Sequence, residues 1–127
     1  SCFMELSRLE QAKGMIPGGC LNRYSMSLCG TRAIQDTQRV NFDLCFIGVT
    51  GYSKRFGFTC GVEEESQLKR VAIERSEKVV ILMDSSKEEI RTTFTITDLS
   101  NVDVVISDGN LSESFLAECK EHGVTVL

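Results

Sequence analysis

Three short polar segments carry the side chains best suited to chemistry, and each follows an apolar run directly. They are residues 48–53, residues 84–87 and residues 107–110. If the preceding runs are neighbouring parallel strands, the segments lie together, because the carboxyl ends of parallel strands meet at one edge of a sheet. Open α/β sheets bind their ligands outside that edge. The sequence therefore predicts one shared rim.

The first segment reads Gly48-Val49-Thr50-Gly51-Tyr52-Ser53. Its glycines let a backbone approach a ligand closely, and exposed N–H groups can then hold an anion. A tight exit from a strand, with no ligand, explains the same residues equally well. The segment is neither a G-x-G-x-x-G sequence nor a Walker A motif, so nucleotide binding has no support.

The second segment places Lys87 behind Asp84, Ser85 and Ser86. The lysine supplies a positive charge suited to a phosphate or carboxylate, and Asp84 would orient it or bind a sugar hydroxyl. The alternative is that one of the three preceding residues caps a short helix while Lys87 is solvated. In the third segment, Asn110 is explained as the cap of the helix that follows.

Two further clusters have simpler explanations than chemistry. The acidic run at residues 63–65 suits the first turn of a helix, where negative charge meets the positive end of the helix dipole. Lys54 and Arg55 stand beside Phe56 and Phe58, a pattern that hints at nucleic-acid stacking. Two charges beside two aromatic rings favour instead a loop whose phenylalanines point inward.

The six cysteines indicate reduced thiols and no metal site. Cys45 lies inside an apolar run, and Cys119 lies on the apolar side of a helical pattern. No C-x-x-C pair is present, and His122 is the one histidine, too few for the usual zinc sites. We expect small buried hydrophobic side chains, no catalytic cysteine and no cofactor.

The apolar runs predict a parallel sheet. Residues 43–48, 78–84 and 102–108 are continuous apolar runs, typical of strands covered on both faces. Residues 124–127 predict a short fourth strand. Residues 14–17, closed by two glycines, predict a fifth.

Helical patterns fill the gaps between the strands. Residues 63–77 place Leu68, Val71 and Ala72 on one stripe. Residues 110–122 start at Asn110 as the N-cap, bury four apolar residues and stop at Gly123. Those four are Leu111, Phe115, Leu116 and Cys119. Residues 31–39 and 1–13 predict two weaker helices, and the alternation as a whole predicts an α/β domain with right-handed crossovers.

Length and composition limit the classes of protein to which the chain could belong. The chain has 127 residues, 42% hydrophobic and 25% charged, which fits one globular domain. No apolar run is long enough to span a bilayer, and a net charge of -4 argues against a chain dominated by nucleic-acid contacts. The first 60 residues carry 7 basic and 4 acidic side chains, and the rest carry 7 and 14.

Taken together, these segments resemble the C-terminal sensor domain of DeoR-type bacterial transcriptional repressors. The resemblance runs in order across nearly the whole chain, which makes it far more specific than any single motif. Its motifs are a strand ending in F-x-G-x-x-G, a G-x-T segment, an E-x-x-x-K helix and a strand closing on D-S-S-K. They correspond here to residues 46–51, 57–59, 65–69 and 84–87.

The resemblance implies a three-layer, Rossmann-like parallel sheet of the kind shared by ribose-5-phosphate isomerase, glucosamine-phosphate isomerase and CoA transferases. In that superfamily the carboxyl-edge loops hold a phosphorylated sugar. Asp84 and Lys87 would contact its polar groups or phosphate, while Thr59 and Lys69 would be peripheral. The residues that would line the sugar pocket are Gly48, Val49, Thr50 and Gly51.

The chain also departs from the family pattern. We expect residues 1–127 to be one sensor domain that lacks its first strand–helix unit and its Gly-Thr-Thr phosphate loop, with no DNA-binding domain in this chain. Specific operator binding is therefore not expected of it.

The sequence thus favours a cytoplasmic, effector-sensing and oligomerising domain of a repressor of a sugar or polyol operon. The expected partners are a phosphorylated sugar or polyol and further copies of the chain, with no membrane. One alternative is an isomerase-like enzyme, although residues 48–53 contain no acid to act as the base. The other is a degenerate domain that acts only in assembly.

Overall fold

A computed structural model describes residues 2–127 and contains three sheets and four α-helices in that range. Short 3₁₀ turns at Ser85–Lys87 and Leu99–Asn101 complete the elements. In chain order the helices and strands are α1 (Cys2–Leu6), β1 (Cys20–Asn22), β2 (Ser27–Cys29), α2 (Thr31–Gln38), β3 (Phe42–Gly48), β4 (Gly51–Ser53), β5 (Gly57–Cys60), α3 (Glu63–Glu74), β6 (Ser76–Leu82), β7 (Phe94–Thr97), β8 (Val104–Ile106), α4 (Glu113–Glu121) and β9 (Thr125–Val126).

The central sheet is parallel, in the order β3-β6-β8-β9. Its register aligns Ile47 with Ile81, Ile81 with Val105, and Val105 with Val126. Neighbouring residues of a strand point to opposite faces, so this row of branched side chains shares one face. The four strands predicted for this sheet are confirmed, and each of their ends lies within two residues of the predicted position.

One face of the parallel sheet carries the core. The strand order advances by one place at each step, and right-handed crossovers then put every connection on the same face. Those connections contain α3, α4 and the second sheet, and they bury Ile47, Ile81 and Val105 to 5% exposure or less.

The opposite face of the same sheet is largely open among residues 2–127, although Val80 near its centre is 4% exposed. Leu44 is 43% exposed, Phe46 58% and Leu82 41%. The prediction of strands covered on both faces is therefore wrong for the described residues. A continuous apolar run indicates a hydrophobic strand, but it does not say which segment of chain covers it.

A second, antiparallel sheet has the order β4-β5-β7 and lies over the core face. Its rings pack closely: the Tyr52 centroid lies 4.7 Å from that of Phe58 and 4.7 Å from that of Phe115 on α4. Sequence reading assigned β4 to the loop after β3 and did not predict this sheet, because each of its strands has only three or four residues.

The first 30 residues differ most from the prediction. Helix α1 has five residues rather than thirteen, and the strand predicted at residues 14–17 is not formed. Pro17 has no backbone N–H to give to a ladder. The strand pair here is instead an antiparallel hairpin, β1 with β2.

Two helix details also correct the prediction. The N-cap of α4 is Ser112, whose Oγ accepts from the Phe115 N–H at 3.1 Å, and not Asn110. Leu116 is 40% exposed rather than buried, whereas Glu118 of the same helix is 9% exposed.

The six cysteines are free thiols, in agreement with the prediction of reduced cysteines. Cys29, Cys60 and Cys119 are buried, while Cys2 and Cys20 are exposed. Burial raises the pKa of the Cys119 thiol to about 11, so it stays protonated near neutrality.

Candidate functional site

The three polar segments meet at one edge, as the sequence predicts. Gly48 at the end of β3 pairs in register with Leu82 of β6, and Leu82 pairs with Ile106 of β8. Residues 49–50, 83–87 and 107–112 therefore leave the sheet side by side. This rim is the position at which open α/β sheets take ligands.

A cavity of about 310 Å³ opens beside the first of these segments. Gly48, Val49 and Thr50 form one wall, and nothing would stand within 4 Å of a Cβ placed on Gly48. Helix α3 and the β1–β2 hairpin form the other walls. The remaining lining residues are Ser25, Ser27, Leu28, Glu65, Leu68 and Lys69.

A charged pair on α3 faces this cavity. The Lys69 Nζ lies 3.8 Å from a carboxylate oxygen of Glu65, one helical turn earlier, and their side chains are 25% and 13% exposed. The other Glu65 oxygen accepts from the Ser27 hydroxyl at 3.2 Å and the Asn22 amide at 3.4 Å. One carboxylate thus joins the lysine to the hairpin.

Sequence reading did not find this role for Glu65. The helix dipole accounts for an acid at this position, and the family resemblance implies a peripheral place for Lys69. The available signal was the i,i+4 spacing of acid and lysine, which puts both on one side of a helix. Ser25 and Ser27 had no signal, because the hairpin that carries them was not predicted.

Gly51 and Thr59 lie behind the cavity and are not among its lining residues. A Cβ on Gly51 would overlap the carbonyl of Ile90, so the close passage of that segment requires glycine here. Thr59 is 1% exposed; its hydroxyl donates to the Gly51 carbonyl at 3.4 Å and accepts from the Thr92 N–H at 3.0 Å. Both residues position the loop.

Asp84 and Lys87 stand on the rim, outside the cavity lining. The Asp84 carboxylate accepts from the Ser86 N–H at 2.9 Å and from its hydroxyl, so the capping alternative is confirmed for Asp84. These bonds and the positive charge of Lys87 lower the pKa of Asp84. The Lys87 Nζ is 4.0 Å from Asp84, and its side chain is 36% exposed.

Asp108 is the most heavily bonded group of the rim. It accepts from the Ser85 N–H at 3.2 Å, the Ser85 hydroxyl at 3.0 Å, the Ser107 hydroxyl and the Asn110 N–H. Desolvation raises the pKa of this carboxyl, but the hydrogen bonds outweigh it and lower the pKa to about 2. Asp108 thereby ties the segment after β6 to the segment after β8.

A buried polar contact connects the first segment to α4. The Tyr52 hydroxyl donates to a Glu118 carboxylate oxygen at 2.6 Å, and the Lys54 Nζ lies 4.0 Å from the other oxygen. Burial and the bond to Glu118 raise the pKa of Tyr52 well above its ordinary value. Glu118 was not predicted, because a charged residue on a helix is usually solvated.

A larger cavity, about 580 Å³, lies at the opposite, amino edge of the sheet near Ser76 and Asp103. The Asp103 carboxylate at that edge accepts a hydrogen bond from the Val79 N–H at 2.7 Å. We place the candidate site at the carboxyl edge, since the loops meet there.

Within residues 2–127 no group of three or more His, Cys, Asp or Glu side chains is arranged to hold a metal ion. None of the helices in that range is long and apolar enough to cross a membrane.

Comparison with known proteins gives consistent matches. The family model described as the DeoR C-terminal sensor domain matches residues 1–109. The HTH-type transcriptional regulator GlpR of Haloferax volcanii is 34% identical over 118 residues, 93% of this chain and 46% of that protein. A putative aga operon transcriptional repressor of Escherichia coli O157:H7 is 30% identical over 122 residues, 96% of this chain and 45% of that protein.

The HTH-type transcriptional repressor GlcR of Bacillus subtilis is 29% identical over 122 residues, covering 96% of this chain and 47% of that protein. The chain therefore spans about half the length of the curated relatives it matches.

Proposed function

The chain belongs to the DeoR C-terminal sensor domain family, and from that premise we propose that its carboxyl-edge cavity binds a phosphorylated sugar or polyol as an effector. The observation that carries the proposal is the set of residues around the 310 Å³ cavity: an open glycine, a threonine and a partly buried lysine. A lysine is a compact cation that suits a phosphoryl group, and small residues beside it leave room for a polyol.

In this proposal the eight predicted residues divide into four roles. Lys69 meets the phosphoryl group. Asp84 and Lys87 on the rim contact hydroxyls that protrude from the cavity. Gly51 and Thr59 hold the loop in position, and the direct wall consists of Gly48, Val49 and Thr50.

Glu65 gives the site a way to respond to an effector. Its carboxylate serves both Lys69 and the hairpin, through Ser27 and Asn22. A phosphoryl group at Lys69 would compete with Glu65 for the lysine and leave the carboxylate to the hairpin alone. A ligand shifts a conformational equilibrium only through such differential contacts, so the hairpin is the element that the effector would bias.

Catalysis is disfavoured on physical grounds. An isomerase needs a general base poised near neutral pH within reach of the substrate. At this edge Asp84 and Asp108 have pKa values lowered by hydrogen bonds, and Glu65 pairs with Lys69. The Glu88 carboxylate there accepts from the Ser112 N–H and hydroxyl. The relatives reported above are transcriptional regulators, which agrees with a sensor rather than an enzyme.

The wider setting is part of the same proposal. We infer a cytoplasmic regulator in which a separate DNA-binding part reads the operator and copies of this domain associate. We also infer kinship of the fold with the ribose-5-phosphate isomerase and CoA transferase superfamily, supported by the parallel sheet and its carboxyl-edge loops. The relatives include a putative aga operon repressor and an L-fucose operon activator, so regulation in either sense is compatible with this domain.

The proposal is tested by thermal unfolding with a panel of phosphorylated sugars and polyols, each paired with its unphosphorylated parent. We expect at least one phosphorylated compound to raise the Tm, and at 100 times its Kd the stabilisation is about 2.7 kcal/mol. The parent compounds should have no effect.

The variant Lys69→Gln should lose this rise in Tm, whereas Lys120→Gln, an exposed lysine on α4, should keep it. Lys87→Ala should weaken binding if Lys87 is a rim contact, and it should abolish binding if Lys87 is the main phosphate contact. A panel without any positive compound, or a rise that Lys69→Gln retains in full, would contradict the proposal.

A further inference from the structure

Two cysteines stand opposite each other in the β1–β2 hairpin. Cys20 of β1 is the register partner of Cys29 of β2, at the end of the ladder farthest from the turn. Directly paired residues of an antiparallel ladder point to the same face, with Cα atoms about 4.5–5.5 Å apart. A disulfide joins residues whose Cα atoms are about 4.4–6.8 Å apart. The ladder therefore holds this pair within the range that a disulfide requires.

Contacts around the pair show that the two strands approach closely here. The Cys29 thiol donates to the Cys20 carbonyl oxygen at 3.5 Å, so its sulfur lies beside the backbone of the opposite residue. A Cβ placed on Gly19, whose φ is +129°, would lie 2.5 Å from the Cys29 carbonyl oxygen. The absence of a side chain at Gly19 thus lets β1 lie against β2. No other two cysteines of residues 2–127 are partners in a ladder.

The two thiols differ in their access to solvent, which gives them different roles. Cys20 is exposed, whereas Cys29 is only 9% exposed. Burial, together with the negative charges of Glu64 and Glu65, raises the pKa of the Cys29 thiol and makes it a poor target for an oxidant in solution. An oxidant therefore meets Cys20 first, and Cys29 is placed to react with the oxidised Cys20.

We propose that Cys20 and Cys29 form a reversible thiol–disulfide site, oxidised by hydrogen peroxide, in the hairpin that walls the carboxyl-edge cavity. The Cys20 thiolate attacks one peroxide oxygen, the O–O bond breaks, and hydroxide leaves to take up a proton, so that Cys20 becomes a sulfenic acid. The Cys29 sulfur then attacks the Cys20 sulfur, and its proton leaves with the hydroxyl group as water. Two thiols and one peroxide thus yield one disulfide and two waters. An external dithiol reverses the step by exchange and is itself oxidised to a disulfide.

The geometry of the ladder favours a disulfide that is easily reduced. Paired Cβ atoms of antiparallel strands lie about 4.5–5.5 Å apart, whereas a disulfide brings them to about 3.5–4.5 Å. Forming the bond would therefore draw the two strands together by up to about 1 Å at this end of the hairpin. Disulfides that require such distortion are reduced more readily than relaxed ones, which is a property of regulatory disulfides.

The effect would reach the cavity through one face of the hairpin. Residues two places apart along a strand share a face, so Asn22 and Ser27 lie on the face that carries the two cysteines. These two residues donate to the Glu65 carboxylate at 3.4 Å and 3.2 Å. Drawing the strands together would change those distances, and with them the hold of Glu65 on Lys69. This regulatory step rests on the proposed effector site, whereas the disulfide does not.

The first test is peptide mapping of the chain before and after treatment with hydrogen peroxide. Trypsin cuts after Arg23 in the hairpin turn, so the two cysteines fall in separate peptides, residues 14–23 and 24–32. We expect oxidation to link these peptides, with the loss of two hydrogens and of two of the six free thiols. Dithiothreitol should restore all of the thiols. Oxidised chains in which these two peptides stay unlinked overturn the proposal.

Variants separate this pair from the other thiols. Cys20→Ser changes an exposed side chain and should abolish the link, whereas Cys2→Ser, which removes another exposed cysteine, should leave it intact. Cys29→Ala should also abolish the link and leave Cys20 as a sulfenic acid, which dimedone traps. A link from Cys20 to any cysteine other than Cys29, within one chain or between two chains, overturns the proposal.

The coupling to the cavity has a measurement that needs no effector. In ¹H–¹⁵N NMR spectra, oxidation should shift the side-chain amide signals of Asn22, because its contact with Glu65 changes. The side-chain amide of Asn101, which donates to Thr97, is the control and should not shift. A disulfide that forms without a change at Asn22 overturns the regulatory step. A link that forms when no phosphorylated compound raises the Tm contradicts the proposed function and supports the disulfide.

Discussion

The two faces of the parallel sheet are built from similar apolar residues but have different surroundings. On one face Ile81 is fully buried beneath the antiparallel sheet and two helices; on the other its neighbour Leu82 is 41% exposed. The difference arises from topology, since a strand order that advances in one direction sends every right-handed connection to the same side. Burial is thus decided by the path of the connections and not by the hydrophobicity of the strand.

The largest difference between the two faces is expected when one phenylalanine on each face is replaced by alanine. Phe58 is fully buried over the core face, and Phe58→Ala should lower the free energy of unfolding by about 3–5 kcal/mol, because it leaves a cavity. The matched change Phe46→Ala, at a ring that is 58% exposed, should cost far less. Urea unfolding of both variants measures the two values, and equal losses would contradict the assignment of the faces.

An intermediate effect is expected from the polar contact inside the core face. Tyr52→Phe removes the donor to Glu118 and leaves a buried carboxylate without it, which should cost about 1–3 kcal/mol. Tyr24→Phe is the control, since Tyr24 is 96% exposed. If thermal and urea unfolding find the two variants alike, the Tyr52 bond contributes nothing to stability.

The smallest effect is expected on the open face. Leu82→Thr should change the free energy of unfolding by less than about 1 kcal/mol, as for most exposed substitutions, and threonine suits a strand. Ile81→Thr, one residue away on the opposite face, should cost several times more. Circular dichroism melts of the pair provide the measurement. A large loss in Leu82→Thr would mean that this face is covered in solution.

Much of the parallel sheet could be predicted because each strand is a continuous apolar run bounded by polar residues. The open face could not, since Phe46 and Ile47 look alike in sequence and differ only in what packs on them. The antiparallel sheet was missed for a local reason: Gly51 and Gly57 begin short strands and resemble turn residues. Asn110 and Ser112 were both suitable caps, and only the hydrogen bond to Phe115 decides between them.

At the candidate site, the position of the rim could be predicted from the sequence, but the contacts between its side chains could not. Position at the end of a strand is enough to bring residues 48–51, 84–87 and 107–110 to one edge. The pairing of Glu65 with Lys69 and with Ser27 depends on how α3 meets a hairpin 38 residues earlier in the chain. The approach of Arg91 to the Phe56 ring likewise depends on two distant turns that the fold brings together, which no local pattern encodes.

The bond between Tyr52 and Glu118 also makes the chain its own optical reporter. The sequence has no tryptophan and two tyrosines, so its near-ultraviolet emission comes from Tyr24 and Tyr52 alone. A phenol that donates to a carboxylate emits weakly, whereas a solvated phenol such as Tyr24 emits normally. Because Tyr52 follows Gly51 directly, a brightening on ligand addition would signal that strand β4 has moved away from α4, without any attached dye.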